Sequence, residues 1–448
     1  ESTKEEIIKK AFDFHSKGEL FKAKEEYQIF INLGFKDHRV FSNYGVINEK
    51  DGRFNYAKIL YKKAIKLCPN NPEALVNLSG LLHREGKFEE ALKNTKKAIE
   101  LKPNFFKALL RHGMILKEIG KYKDAQYFFK QAVKENPDSV SALYNLGVIL
   151  TYSKQDIQAK SLFKRAINKK QNYSYAYFGL GNIYKNEGKL NQAILQFKTA
   201  LKYNNEFKLA RLELIKCEIL TCNWKNINLH SQWLSNYEKK ENSIEPWLFM
   251  TLNNDPETQL KRAISFYNMN YYKKETKIIR NNISGKIRVG YFSSDFFNHA
   301  TMFLLNQIIE LHNNDEFEIF IYDFSSNGTD RMSKKIKEDA YKYINIANSD
   351  DVESVMIARK DKLNIAIDLK GYTTGSRMNI FAYRIAPIQI SFLGYPGTTG
   401  SNCIDYLIAD EVLIPKSDQK FYTEKIIYMP NCYQCQDNKK VIANEPLC

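Results

Sequence analysis

A step of 34 residues runs through the first half of the chain and constrains its fold more than any other feature. Pro69, Pro103 and Pro137 keep that step, as do Ala57, Ala91, Ala125, Ala159 and Ala193, and again Ala64, Ala98, Ala132, Ala166 and Ala200. Gly45, Gly113, Gly147 and Gly181 form a further column, with Ser79 filling its gap. Gly52, Gly86, Gly120 and Gly188 form another, broken at Lys154. Large apolar residues keep step at Tyr61, Phe129, Phe163 and Phe197, interrupted by Thr95. A fixed period of this size marks a repeat array. Small residues in register mark helices that cross closely, the mid-unit Gly marks the turn between two helices, and the Pro before the next unit stops the second helix. Each unit then buries its apolar stripe only against its neighbours, so residues 1–207 are expected to form an α-solenoid.

This pattern resembles the tetratricopeptide repeat. Units begin near Lys4, His38, Pro72, Phe106, Val140 and Ser174, about six in all, the first degenerate but keeping Ala11, Gly18 and Ala23. The resemblance implies that the first helix of each pair lines the concave face. Asn43, Asn77 and Asn145 share one column of that helix and are candidates to hydrogen-bond the backbone of an extended acceptor peptide. Arg111 and Gly179 interrupt the column, and ordinary polar surface is the alternative reading. A lysine ladder, Lys62, Lys96, Lys130, Lys164 and Lys198, falls on the second helix, where it reads as a solvated convex face.

The formal net charge of +16 has a location. Residues 1–210 hold 38 Lys+Arg and 22 Asp+Glu, whereas residues 211–448 hold 29 of each. The excess therefore belongs to the repeats. No aromatic residues alternate with the lysines to stack bases, which argues against nucleic acid and favours solvated repeat surface with a preference for acidic protein segments. No stretch approaches 18 uncharged apolar residues, so no membrane span is expected, and the start lacks the basic end and apolar run of a signal peptide. Seven irregularly spaced Cys read as reduced thiols of a cytoplasmic protein rather than a disulfide framework. Cys432 and Cys435 have the spacing of half a zinc site or of a redox pair. Only Cys403 and Cys448 stand near as further ligands, without a His, and no metal is expected.

Residues 208–284 lose the 34-residue step while remaining helical. Leu209, Leu212, Leu214 and Ile215, with Trp224, Trp233 and Trp247, read as a buried cap and connector, and Asn253-Asn-Asp-Pro256 as a turn and helix start. Residues 285–435 change to alternating strand and helix. Strands are predicted at 287–292, 317–322, 343–346, 363–369, 388–392, 406–409 and 426–428, with helices at 303–312, 330–339, 351–359 and 377–383. Short β-branched runs separated by helices imply a mostly parallel, doubly wound, Rossmann-like sheet whose ligands sit past the carboxyl ends of the strands. Three of those ends release loops rich in Gly and hydroxyls, at 293–301, 368–377 and 393–400, which expose backbone N–H groups able to cradle an anion or a sugar. None fits the dinucleotide or Walker pattern.

Three motifs carry a closer resemblance: Gly290-Tyr-Phe-Ser-Ser-Asp-Phe-Phe-Asn-His-Ala-Thr301, Gly371-Tyr-Thr-Thr-Gly-Ser-Arg377 and Ala386-Pro-Ile-Gln-Ile-Ser-Phe-Leu-Gly-Tyr-Pro-Gly-Thr-Thr-Gly400. Behind tetratricopeptides and in this order, they resemble protein O-GlcNAc transferases, in particular the bacterial and SPINDLY-type members. The resemblance implies an α-solenoid followed by the N-terminal lobe of a glycosyltransferase B fold, with inverting transfer of a sugar from a nucleotide donor such as UDP-GlcNAc to Ser or Thr of acceptor proteins. No cofactor or metal is implied. His299 matches the family's active-site histidine, one of two His after Gly285 and suited to act as a base or a hydrogen-bonding positioner. Leu393, Gly394, Tyr395 and Pro396 match the turn against the donor sugar and diphosphate, and Thr301, Tyr372, Thr373 and Arg377 are candidates to shape that pocket. Asp295 and Asp368 read equally as loop caps or catalytic carboxylates, and Lys370 as a phosphate partner. Asn364 lies near a position at which the family often carries a donor-contacting His. Residues 436–448 resemble the start of a linker to a second lobe. The chain is accordingly expected to be inactive alone, with fucose as an alternative donor sugar and a non-catalytic scaffold as the alternative class.

Overall fold

The computed structural model describes residues 3–238, 244–271, 285–325 and 328–439. Cys448 and most of the 436–448 linker lie outside the described residues, as do residues 272–284 of the connector. The chain divides into two compact units, Glu1–Asn223 and Trp224–Cys448.

The first unit is a run of antiparallel helix pairs. The first helix of each pair begins at Lys4, His38, Pro72, Phe106, Val140 and Ser174, the six positions marked by the sequence step. Each ends in a left-handed residue that opens the second helix: Gly18, Gly52, Gly86, Gly120, Lys154 and Gly188 all have φ between +56° and +79°. At Lys154 the helix end is a Schellman turn, with Lys154 N–H donating to Thr151 O at 3.0 Å and Gln155 N–H to Leu150 O at 2.9 Å. The Lys side chain is carried in that conformation at about 1 kcal/mol against Gly.

The step also runs one helix further than the sequence reading allowed. Lys208–Leu220 begins 34 residues after Ser174, packs on Leu190–Tyr203, and is followed by Cys222 at φ +52°, in the Gly column. A Cys in place of the Gly hid it. This helix buries Leu214, Ile215 and Cys217, whereas Leu209 is 56% exposed. The expectation of a wholly buried connector is corrected likewise at Trp224 and Trp247, each 44% exposed. One apolar stripe of a helix faces the core, and apolar residues off that stripe remain outside.

Why the Gly45 column needs Gly follows from the packing. Sixteen residues later the second helix lays an aromatic ring on it: a Cβ on Gly147 would stand 2.6 Å from Phe163, and one on Gly181 2.4 Å from Phe197. Where Ser79 replaces the Gly, Thr95 replaces the ring, and His112 of the next unit bonds to it, Nδ1 to Oγ1 at 2.7 Å. Burial lowers the pKa of His112 to about 4. Neighbouring pairs are further tied by Lys24–Asp51, Lys58–Glu85 and Lys160–Glu187 ion pairs at 2.5–2.6 Å, each spanning 27 residues. The lysine ladder lies exposed on the second helices, and Lys198 pairs with Glu218 at 2.7 Å.

The second unit opens with helices Ile227–Glu238, Pro246–Met250 and Pro256–Asn270. The last is capped by Asp255, which accepts Thr258 N–H at 3.0 Å, with Pro256 in the first turn, as Asn253-Asn-Asp-Pro256 predicted. Seven strands follow: β1 (Ile287–Ser293), β2 (Phe317–Asp323), β3 (Lys342–Asn345), β4 (Ile365–Asp368), β5 (Ile388–Ser391), β6 (Tyr406–Ala409) and β7 (Lys425–Tyr428). All pairs are parallel, in the order β3-β2-β1-β4-β5-β6-β7. Alternate residues of β1 serve opposite layers. Val289 and Tyr291 join Leu305 and Ile321 on one face, while Phe292 stacks on Tyr322 at 4.3 Å on the other. Strand order reverses between β1 and β4, which opens a crevice past their carboxyl ends.

Candidate active site at the carboxyl edge of the sheet

The loops after β1, β4 and β5 close into one block at that crevice. A Cβ on Gly394 would fall 1.9 Å from Leu369 O, one on Gly371 2.4 Å from Tyr395 Cβ, and one on Gly375 2.9 Å from Ser294 Oγ. At these approaches a side chain has no room, which is the physical use of the Gly-rich loops. Gly394 N–H donates back to Phe392 O at 2.8 Å, closing a γ-turn with Leu393 at φ +69°. That conformation is rare and strained for a branched side chain, and strain of this kind collects at functional sites.

Beneath the loops lies a buried ion pair. Lys370 Nζ stands 2.8 and 3.0 Å from the two carboxylate oxygens of Asp295, with both side chains less than a tenth exposed. Lys370 is thereby held by Asp295, its Nζ shared between the two carboxylate oxygens. Asp368 accepts the N–H groups of Lys370 and Gly371 at 2.9 and 3.0 Å, the loop-capping alternative, and burial pushes its pKa up to about 6.

His299 caps the helix Ala300–Leu311 and stays 40% exposed at the rim. Its Nδ1 accepts Thr301 N–H at 3.2 Å, lies 3.1 Å from Thr301 Oγ1 and 3.6 Å from Asp295 Oδ2. An Nδ1 that accepts a backbone proton leaves the ring proton on Nε2, so this tautomer, assigned from the hydrogen bond, presents a donor outward. Asn298 N–H is fixed by Asp330 at 2.7 Å, which steadies the residue before it.

The sequence-predicted residues divide into two groups. His299, Thr301, Thr373, Leu393, Gly394 and Pro396 are partly exposed along the crevice, with Thr373 Oγ1 donating to Lys370 O at 2.8 Å. Tyr372 and Tyr395 lie buried below, in contact with each other and with Phe266 against Tyr372. Arg377 turns away to clamp Asp351, Ile346 O, Ser349 O and Ser354 at 2.8–3.0 Å. Asn364 sits at the opposite end of the sheet, just before β4, where its Oδ1 accepts Arg288 N–H at 2.9 Å; a donor contact from it is excluded by that position. Sequence reasoning missed Glu424. Its buried carboxylate accepts Thr399 N–H at 2.7 Å and Thr398 Oγ1 at 2.8 Å, pinning the β5 loop from 25 residues away. No motif marks it. In the first unit, Asn43 is held by Tyr27, Asn145 bonds Lys117 and Ser141, and Asn77 lines a cavity. Among the described residues no cluster of three or more His, Cys, Asp or Glu is placed to hold a metal, and no helix is long and apolar enough to cross a membrane.

A doubly wound parallel sheet with loops gathered at its switch point defines a Rossmann-like lobe of the glycosyltransferase B type. Comparison with known proteins supplies the particular family. Residues 260–444 match glycosyl transferase family 41, and residues 38–71, 60–93, 107–139 and 162–195 match tetratricopeptide repeat families. Tetratricopeptide repeats are thus followed by a stretch, 260–444, that matches glycosyl transferase family 41. It is 38% identical over 155 residues to the probable UDP-N-acetylglucosamine--peptide N-acetylglucosaminyltransferase SEC of Arabidopsis thaliana, covering 35% of this chain and 16% of that one. It is 34% identical over 163 residues to the UDP-N-acetylglucosamine--peptide N-acetylglucosaminyltransferase of Caenorhabditis elegans, covering 36% and 14%. A solved structure of a Thermobaculum terrenum O-GlcNAc transferase mutant overlays with TM-score 0.43 at 21% identity, over 73% of this chain and 58% of that one. The matched stretch spans about a sixth of the length of these curated relatives.

Proposed function

We propose that the chain serves protein O-glycosylation, transferring GlcNAc from UDP-GlcNAc to Ser or Thr hydroxyls, with the repeats holding the acceptor protein. The observation that carries this reading is the convergence, in the stretch that matches family 41, of three Gly-rich strand ends on the His299 rim. In the reaction an acceptor Oγ attacks the anomeric carbon opposite the diphosphate, the bond from that carbon to the diphosphate breaks, configuration inverts, the diphosphate leaves on the nucleotide, and the hydroxyl proton is released to solvent. With Lys370 held by Asp295, the N–H groups of the exposed Thr374 and Gly375, which the bonds within the loop leave open, take the diphosphate. His299 donates from Nε2 to orient the reacting oxygen. Leu393 and Gly394 form the wall under the sugar. Metal-independent transfer fits an anion cradle built from backbone dipoles. One seven-stranded lobe supplies half of such a site, and a second lobe facing its crevice supplies the other half. A reduced cytoplasmic setting suits its six described free Cys.

The test is labelling of acceptor protein by the chain supplied with a second lobe from a family relative, using UDP-GlcNAc and a fucose donor in parallel. Label from UDP-GlcNAc that mild alkali releases supports O-linked GlcNAc transfer. Label from the fucose donor alone moves the assignment to fucose, and no label from either favours a scaffold.

A further inference from the structure

The first unit carries a groove that the transfer chemistry does not use. Asn77, Lys107, Arg111, Lys117, Tyr144 and Asn145 are among its walls, around a cavity of about 440 Å³. Three of these six are cationic, and no Asp or Glu lines the cavity. Elsewhere in the unit several lysines meet an acid, among them Lys24, Lys58 and Lys160, and one comparison is direct. Lys185 meets the carboxylate of Glu213 at 2.6 Å. Two steps earlier, 68 residues before each, stand Lys117 and Asn145, where Lys117 Nζ donates to the amide Oδ1 at 2.8 Å. The amide keeps the hydrogen bond and brings no charge; Glu118, an acid that acts on Lys117 through space, bonds His83 instead.

Arg111 repeats the theme. It occupies the Asn column between Asn77 and Asn145, partly buried, its guanidinium 3.1 Å from where a Cβ on Gly80 would stand. Among the described residues it makes no hydrogen bond or ion pair. Glu49, an acid that acts on it through space, already accepts the Tyr61 hydroxyl at 2.8 Å. Lys107 is exposed with no acid partner among the described residues. Desolvation lowers the pKa of both Arg111 and Lys117, so each gains from an anion placed beside it. Tyr144, Tyr173 and Tyr175 add an aromatic wall, with ring centroids 5.6–6.0 Å apart.

We infer that this groove binds an extended protein segment through its Asp or Glu side chains, one carboxylate at Arg111 flanked by Lys107 and Lys117, with the Asn77 amide on the segment's backbone. The inference rests on the repeats being the acceptor-holding part of the chain. Guanidinium and carboxylate match as a bidentate pair, which gives the site its chemical preference. A nucleic acid is the lesser fit, because the exposed lysine ladder lies on the second helices and provides no continuous cationic track along the groove for a polyanion.

Fluorescence anisotropy of the full chain tests it, using a terminally blocked, labelled peptide in which Asp and Glu alternate with Ala, and its Asn/Gln counterpart. The acidic peptide is expected to bind roughly tenfold tighter than the amide one, and Arg111→Gln or Lys117→Gln to remove about that factor. Lys96→Gln, on the ladder, is expected to leave affinity unchanged. Equal binding of the two peptides overturns the carboxylate preference while leaving the repeats as a peptide holder. Failure of both peptides to bind overturns the two readings together. Wild-type affinity in Arg111→Gln and Lys117→Gln, tighter binding of a single-stranded oligonucleotide, or binding only of a peptide whose sole carboxylate is its free C-terminus, each overturns the inference.

Discussion

Replacing Lys370 by Met leaves the Asp295 carboxylate buried without its cation. The pair sits at 2.8–3.0 Å with both side chains less than a tenth exposed, so solvent does little to screen the loss. Breaking a buried pair from one side costs roughly 3–5 kcal/mol. The orphaned carboxylate then keeps Ser294 Oγ at 3.1 Å and, more distantly, His299 Nδ1 at 3.6 Å as its side-chain neighbours. Removing both charges, in Asp295→Asn/Lys370→Met, leaves a neutral pair of similar volume and is expected to recover most of the loss. Urea unfolding read by tryptophan fluorescence reports the right unit, since Trp224, Trp233 and Trp247 all fall in Trp224–Cys448. With a slope of about 2 kcal/mol/M, Lys370→Met should lower the midpoint by roughly 1.5–2.5 M at pH 7. A single variant within about 1 kcal/mol of wild type, or a double variant as weak as the sum of the singles, refutes the reasoning.

Two substitutions seven residues apart in the solenoid should move stability in opposite directions. Gly147→Ala drives a Cβ to 2.6 Å from Phe163 and is expected to cost about 1–3 kcal/mol, whereas Lys154→Gly relieves a left-handed Lys and gains up to about 1 kcal/mol; thermal melts by circular dichroism decide both. His112 gives the solenoid a pH signature. Buried neutral with its pKa lowered to about 4, it titrates near 6.5 in the unfolded chain, so its contribution is complete above pH 6.5 and is lost as pH falls towards 4, by roughly 3 kcal/mol in all. His112→Gln should flatten the melting temperature over that window, and an unchanged slope contradicts the assignment.

The sequence made the solenoid legible because its packing rule recurs. A Gly under a ring every 34 residues fixes helix starts at Lys4, His38, Pro72, Phe106, Val140 and Ser174, and even Lys154 adopts the turn that the column demands. Where Cys222 replaced that Gly, the composition gave no cue and the next helix, Lys208–Leu220, was missed. The sheet was equally legible, from β-branched runs; 406–409 coincides with β6, while 363–369 overran β4 because Leu363 and Leu369 carry the apolar run past the paired residues at both ends. The site was readable only in part. Motifs bring His299 and the 393–396 turn to the crevice, but the Asp295–Lys370 pair joins residues 75 apart and Glu424 reaches Thr399 across 25. Such contacts depend on which strand ends become neighbours, and spacing along the chain does not encode that. Exposure of Trp224 and Trp247 escaped for a similar reason, since composition says that a side chain is apolar and not which way it faces.

The account turns on His299 at the rim of a half-site for sugar transfer. The most direct measurement is transfer of labelled GlcNAc from UDP-GlcNAc to an acceptor protein by the chain combined with a second family 41 lobe, comparing wild type with His299→Ala. The combination is expected to label the acceptor, and the His299→Ala form to do so about a hundredfold more slowly with unchanged tryptophan-detected unfolding. Equal rates for wild type and His299→Ala would contradict it.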